Sequence, residues 1–210
     1  MKERKNLCGE IHHIVNKLNR YNYNYQGNNL PKNGIYIIFE KNEIAHNGDR
    51  IVHIGTHQGD NRLVSRLNEI FKIENKDRSI LRKNIGRAIL NQNKDPYIDV
   101  WNIDFTSRKN KELYGNNIDE SHQIYIEKLV TKYIQENLTF VVIEIEDKQH
   151  RTQIKKNLIG EISNCNKCKR SKHWIGNYST KDNIIESGLW HDKELYKGRF
   201  EVEDLLFINK

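Results

Sequence analysis

Apolar positions along the chain follow two different periods. Over residues 2–19, Leu7, Ile11, Ile14, Val15 and Leu18 form one stripe at helical spacing, with polar residues round the rest. That predicts a helix packed on the domain or on a second copy. Two short continuous runs follow, Gly34-Ile35-Tyr36-Ile37-Ile38-Phe39 and Ile51-Val52-His53-Ile54-Gly55. A polar bend holding Gly48 and Asp49 separates them, and together they predict a β-hairpin. Beyond the loop THQGDN, Leu63, Leu67, Ile70 and Phe71 fall at i, i+4, i+7 and i+8, one face of a helix. Arg62 and Arg66, four apart, share a flank of that face.

The same reading continues downstream. Ser79 is a suitable cap for a helix with the stripe Leu81, Ile85, Ala88 and Ile89. YIDVWNIDF, residues 97–105, reads as a strand and TSRKNKELYGNN as a loop. A helix is expected from Asp119, with Ile126, Leu129, Val130 and Tyr133 as its stripe. TFVVIEIED reads as a strand, and a last helix over 149–163 places Ile154, Leu158 and Ile162 on one face. No internal repeat divides the chain. The expected fold class is α+β: a small three-stranded, mainly antiparallel sheet flanked by helices, in a single domain. Residues 1–31 supply an N-terminal helix and linker, 32–163 the core, and 164–210 a C-terminal arm.

Composition narrows the function. The 210 residues are 36% hydrophobic and 30% charged, with a net charge of +7 and a pI near 9.2. A basic balance favours a polyanion, most often nucleic acid, although the abundance of Asn, Lys and Ile also fits coding bias. No apolar run approaches the ~18 residues of a membrane span. The start, MKERKNLCGE, lacks an apolar signal core. Three cysteines do not make a disulfide framework, and a reducing cytoplasm fits.

Within the chain, Arg78, Arg82, Lys83 and Arg87 occur with no acid among them. With the amides of the helix after Ser79 they form either a phosphate site or merely a solvated helix. Lys167, Lys169, Arg170 and Lys172 lie beside Trp174. This segment can follow a DNA backbone while Trp174 packs the arm. The tyrosines of YNYNYQGNN either stack on bases or lie in a loosely packed surface linker. Cys165-x-x-Cys168 with His173 nearby suggests zinc. Structural zinc wants four ligands, usually in two paired knuckles, and only Cys8 and scattered histidines remain, so zinc is not expected.

The hairpin and the helix after it carry a family resemblance. Gly34-Ile35-Tyr36, then His53-Ile54-Gly55, then Arg66 in LVSRL, in this order, resemble the GIY-YIG nuclease family. HWIG and ESGLW resemble a C-terminal extension of some bacterial members, so the likeness covers about Lys32 to Leu195. It implies hydrolysis of a DNA phosphodiester with Mg²⁺ or Mn²⁺. Tyr36 would be the general base or orient the water, and Arg66 would hold the phosphate with its guanidinium fork. A glutamate on a later helix would bind the metal. His53 stands where the family has tyrosine: its imidazole can exchange a proton near neutral pH and so substitute for the phenol, or, as a lone strand histidine more often is, it is structural.

The larger departure is in IKKNLIGEISN, where the metal-binding acid aligns with Lys155. An ammonium cannot ligate Mg²⁺, which takes oxygen donors. Glu161, six residues on, is turned about 240° round the helix. The position four after Arg66, often histidine in the family, is Ile70. Three explanations stand: an inactivating substitution, a slipped alignment with Glu144 or Glu146 as the ligand, or a degenerate binding protein. The expectation is a restriction-type endonuclease acting on double-stranded DNA as a homodimer. A two-fold enzyme suits symmetric cutting of two strands. The alternative is a non-catalytic DNA-binding module with the same fold.

Overall fold

The computed structural model describes residues 7–208. Its centre is a three-stranded sheet built from β1 (Gly34–Ala45), β2 (Gly48–Gly55) and β3 (Leu138–Glu144). The strand order is β2-β1-β3, and β1 is antiparallel to both neighbours. Both faces of β1 are covered, which is why GIYIIF shows no apolar-polar alternation. Tyr36 and Ile38 join one buried cluster with α2 (Leu63–Phe71), α3 (Ile80–Gln92) and α6 (Glu120–Asn137). Ile35, Ile37 and Phe39 join the opposite cluster with α1 (Cys8–Val15) and α7 (Lys148–Ser163). Ser79, Asp119 and Asp147 start α3, α6 and α7 by accepting a backbone N–H of the first turn.

Several sequence expectations change. The hairpin turn is His46-Asn47, with φ of 52° and 61°, so the strands run through the polar bend and Gly48 and Asp49 belong to β2. Such two-residue turns need positive φ at both positions, and the twist they give suits a hairpin. YIDVWNIDF is not a strand: it holds α4 (Ile98–Asn102). Its Tyr97 and Trp101 are four apart, which suits a helix, and Trp101 lies on α3 at Gly86. A Cβ at Gly86 would stand 2.3 Å from the Trp101 ring. The supposed loop TSRKNKELYGNN contains α5 (Arg108–Tyr114), which buries nothing and so offers no apolar period to read. The N-terminal helix is shorter than 2–19, and residues 2–6 lie outside those described. The tyrosine linker is not loosely packed. Tyr21 exchanges both backbone hydrogen bonds with Phe140, and Tyr25 is buried with its hydroxyl 2.8 Å from Asn68.

Two buried carboxylates of β1 hold the C-terminal arm. Glu40 Oε2 accepts the indole N–H groups of Trp174 and Trp190, each at 2.9 Å, and Oε1 accepts the Tyr133 hydroxyl. Burial pushes the Glu40 carboxyl up, and these hydrogen bonds oppose it. Glu43 accepts from Arg50 at 2.9 and 2.6 Å and from Ser171 N–H at 3.0 Å. A bulge completes the attachment. Ile38 pairs with His53 and Phe39 with Ile51, so Val52 has no opposite residue on β1. Its carbonyl accepts the Trp190 N–H at 2.8 Å.

Candidate active site

Tyr36 sits on the middle strand opposite Gly55. A Cβ at Gly55 would stand 2.1 Å from the Tyr36 hydroxyl oxygen, so the glycine makes room for the phenol. The buried stripe of α2 leaves Arg66 at the edge of the same space. Arg66 Nε donates to the Tyr36 hydroxyl at 3.4 Å, and Nη1 to Glu69 at 2.9 Å and the Arg78 carbonyl at 2.6 Å. Burial works against the Arg66 charge, but the Tyr36 oxygen and Glu69 outweigh it and hold its pKa above the ordinary value.

His53 stacks 6.0 Å from Tyr36 and His191 stacks on His53 at 4.3 Å, both measured between ring centroids. His53 Nδ1 lies 3.2 Å from the Trp190 carbonyl, and His191 Nε2 accepts the Ile54 N–H at 3.0 Å. Burial pushes His53 down to about 3 against the pull of the Trp190 carbonyl. His191 is also driven well below its ordinary value, by burial first and then by His53 and Lys155. Burial thus favours the neutral form of both rings.

Ile154 and Leu158 pack inward, and Lys155 between them is half-buried at the rim. Its Nζ lies 2.6 Å from Glu194 Oε2. The cleft, about 390 Å³, is lined by Tyr36, His53, Arg66, Lys155, His191 and Glu194, among others. A second hollow of about 340 Å³ shares Thr56 and Arg66 with it and extends past Arg62. His191, Asp192 and Glu194 come from the arm, in WHDKE, and the sequence reading did not single them out. Nothing in their spacing marks them; only the anchoring of Trp190 beside them delivers them.

Other expected site residues lie elsewhere. Glu144 and Glu146 line a separate hollow with Pro31 and Phe207, so a slipped alignment does not bring them to the cleft. Glu161 is buried and accepts the Leu7 N–H at 2.9 Å. Arg62, Arg78 and Lys172 are exposed. Arg82 is fully buried, bonded to Ile70, Glu127 and Thr131, and is no surface cation. Lys83 is buried against Asp77, and Arg87 bonds Asn84 and Asn102. Trp174 is buried under the arm and cannot meet DNA; it does pack the arm on the domain.

The cleft does not suit Mg²⁺ as the residues stand. An ammonium occupies the expected acid position, and it already engages the nearest carboxylate, Glu194. A dication there would face Lys155 and Arg66, with Asp192 the one lining carboxylate besides Glu194. Among the described residues, the one group of three or more gathered metal-ligating side chains lies away from the cleft. The arrangement suits an anionic oxygen: a guanidinium, an ammonium and a phenol face one hollow.

The chain matches the GIY-YIG domain model over residues 2–206. It belongs to the GIY-YIG domain family, a nuclease family whose enzymes are generally metal-dependent. Neither the curated proteins nor the solved structures yield a match. No described helix is long and apolar enough to cross a membrane.

Proposed function

We propose that the chain is a restriction-type endonuclease fold for double-stranded DNA whose cleft, in this sequence, binds the phosphodiester and scarcely cuts it. The observation that carries this reading is the Lys155–Glu194 pair, 2.6 Å apart, in the cleft of Tyr36 and Arg66. Arg66 offers a guanidinium to a phosphate oxygen. It also donates to the Tyr36 oxygen, which leaves the phenol O–H able to orient a water. Lys155 adds positive charge but no ligand, so it supports binding without supplying what an acid would. His53 and His191, both held toward the neutral form by burial, wall the cleft. A homodimer would present two such clefts to the two strands, and the reducing cytoplasm expected from the sequence suits access to DNA.

The test is cleavage of a DNA library or plasmid by the unaltered chain and by Lys155→Glu, with Mg²⁺ or Mn²⁺ and with a chelator. The expected result is tight binding with little cutting by the first, and metal-dependent cutting by the second. Robust metal-dependent cutting by the unaltered chain would overturn the silent cleft and direct attention to Asp192 and Glu194. Binding by both proteins with cutting by neither would favour the non-catalytic DNA-binding module.

A further inference from the structure

We propose that Cys8, His46, Cys165 and Cys168 form a structural Zn²⁺ site that ties the root of the C-terminal arm to α1 and the hairpin turn. The sequence alone offers one Cys-x-x-Cys pair and no second knuckle. The fold supplies the missing half from two distant segments. Cys8 stands at the start of α1 and His46 in the β1–β2 turn. The four candidate ligand atoms all lie within 4.8 Å of one another. Cys8 Sγ is 3.2 Å from Cys168 Sγ, and Cys165 Sγ is 3.4 Å from His46 Nε2.

Those separations bracket the spacing that a shared ion needs. Tetrahedral zinc with Zn–S of about 2.3 Å and Zn–N of about 2.0–2.1 Å places its ligand atoms roughly 3.5–3.8 Å apart. A separation of 3.2 Å between sulfurs is too long for a disulfide, whose bond is about 2.05 Å. The Cys168 N–H returns to the Cys165 carbonyl, closing the tight turn that brings the two thiols together.

The neighbouring side chains assign the ligand set. His12 also lies beside the thiols, but its Nδ1 faces the Cys8 carbonyl at 2.9 Å and its Nε2 accepts the Ile51 N–H at 3.3 Å. Both of its nitrogens are engaged, so it supports the cluster without ligating. His173, the histidine suggested by sequence proximity, is exposed and stands outside the group. Three thiolates and one imidazole are a soft donor set that suits zinc, and four protein ligands leave no open position for chemistry. The site is therefore structural. It crosses 160 residues between Cys8 and Cys168, where a metal clip restricts the unfolded chain strongly. The inference stands independently of whether the cleft cuts DNA.

The experiment measures metal in the full chain purified without chelator and then desalted after exposure to Zn²⁺. About one tightly held zinc per chain is expected. His173→Ala should retain it, while Cys165→Ser and His46→Ala should lose most of it. To keep the test independent of how these variants fold, the unaltered chain is also loaded with Co²⁺ in place of zinc. The expected spectrum has the intense visible bands of tetrahedral cobalt and a thiolate charge-transfer band. A zinc-selective chelator should lower the thermal midpoint, and added Zn²⁺ should restore it. Absence of stoichiometric zinc, a weak octahedral cobalt spectrum, iron in place of zinc, or full zinc retention in Cys165→Ser would each overturn the proposal.

Discussion

Lys155 Nζ lies 2.6 Å from Glu194 Oε2, so a residue of α7 and a residue of the arm close an ion pair inside the cleft. Each cancels part of the other's effect on a bound phosphate. The pair is partly exposed, with side-chain accessibilities of 18% and 42%, which limits its worth to stability. It matters more for what the cleft attracts.

Glu194→Gln should release the Lys155 ammonium toward DNA. Affinity should rise a few-fold and the dependence of log K on log salt should steepen by roughly one phosphate contact. Stability should change by less than about 1 kcal/mol, as for other partly exposed pairs. Anisotropy titrations at several salt concentrations, with a denaturant melt beside them, would check both. Unchanged affinity would remove Lys155 from the phosphate-binding face.

Gly55→Ala should press on Tyr36. The added carbon would meet the phenol oxygen at 2.1 Å, and the neighbouring strand leaves the ring little room. A cost of about 1–3 kcal/mol in urea unfolding is expected, the usual range for overpacking. In the Lys155→Glu background the same change should abolish cleavage more than it weakens DNA binding. Wild-type stability in the alanine variant would show that the ring swings aside freely.

The basic segment 78–87 should divide into two kinds of residue. Arg82→Ala should cost about 3–5 kcal/mol, because it strands the buried Glu127 carboxylate. Reversal of the exposed Arg62 and Arg78 to glutamate should leave the melt nearly unchanged and weaken binding to all DNA sequences. Calorimetry of the first variant and salt-dependent binding of the other two separate structure from contact.

Acid should destabilise the protein through the stacked histidines. Folded His53 titrates near 3 and folded His191 well below the ordinary value, whereas the unfolded chain takes up both protons near 6.5. Their contribution is therefore fully present above about pH 6.5 and is lost as pH falls toward 3. The slope is on the order of 1.4 kcal/mol per pH unit for each histidine in that window. Urea midpoints from pH 7 to pH 5 should fall less steeply in His191→Gln. An identical slope would remove His191 from this role.

The sheet and its helices were legible because β1, α2, α6 and α7 carry apolar patterns that match their burial. The hairpin motif also announced Tyr36 and Arg66, since two paired strands and the next helix leave few ways to arrange them. Where pattern and burial part company, reading failed. The α5 helix buries nothing, and YIDVWNIDF contains Trp101, whose partner Gly86 lies on α3. Arg82 looked like a surface cation because its acid, Glu127, is 45 residues away. Glu194 was invisible for a related reason: only the tryptophan anchors on Glu40 bring it to Lys155. The cysteines fail in the same manner, since Cys8 and Cys168 meet only in three dimensions.

The anchoring of the arm on Glu40 also gives the protein a temporal order. Chains leave the ribosome N-terminus first, so Tyr36, Arg66 and the three strands exist before Trp174 and Trp190 are made. Until then Glu40 is a carboxylate inside a forming core without its indole donors, and Val52 presents its bulged carbonyl to water. A product that stops before Trp190 would lack the cleft wall and leave that carboxylate poorly satisfied. The same two tryptophans thus complete the bonding of Glu40 and bring the cleft wall into place.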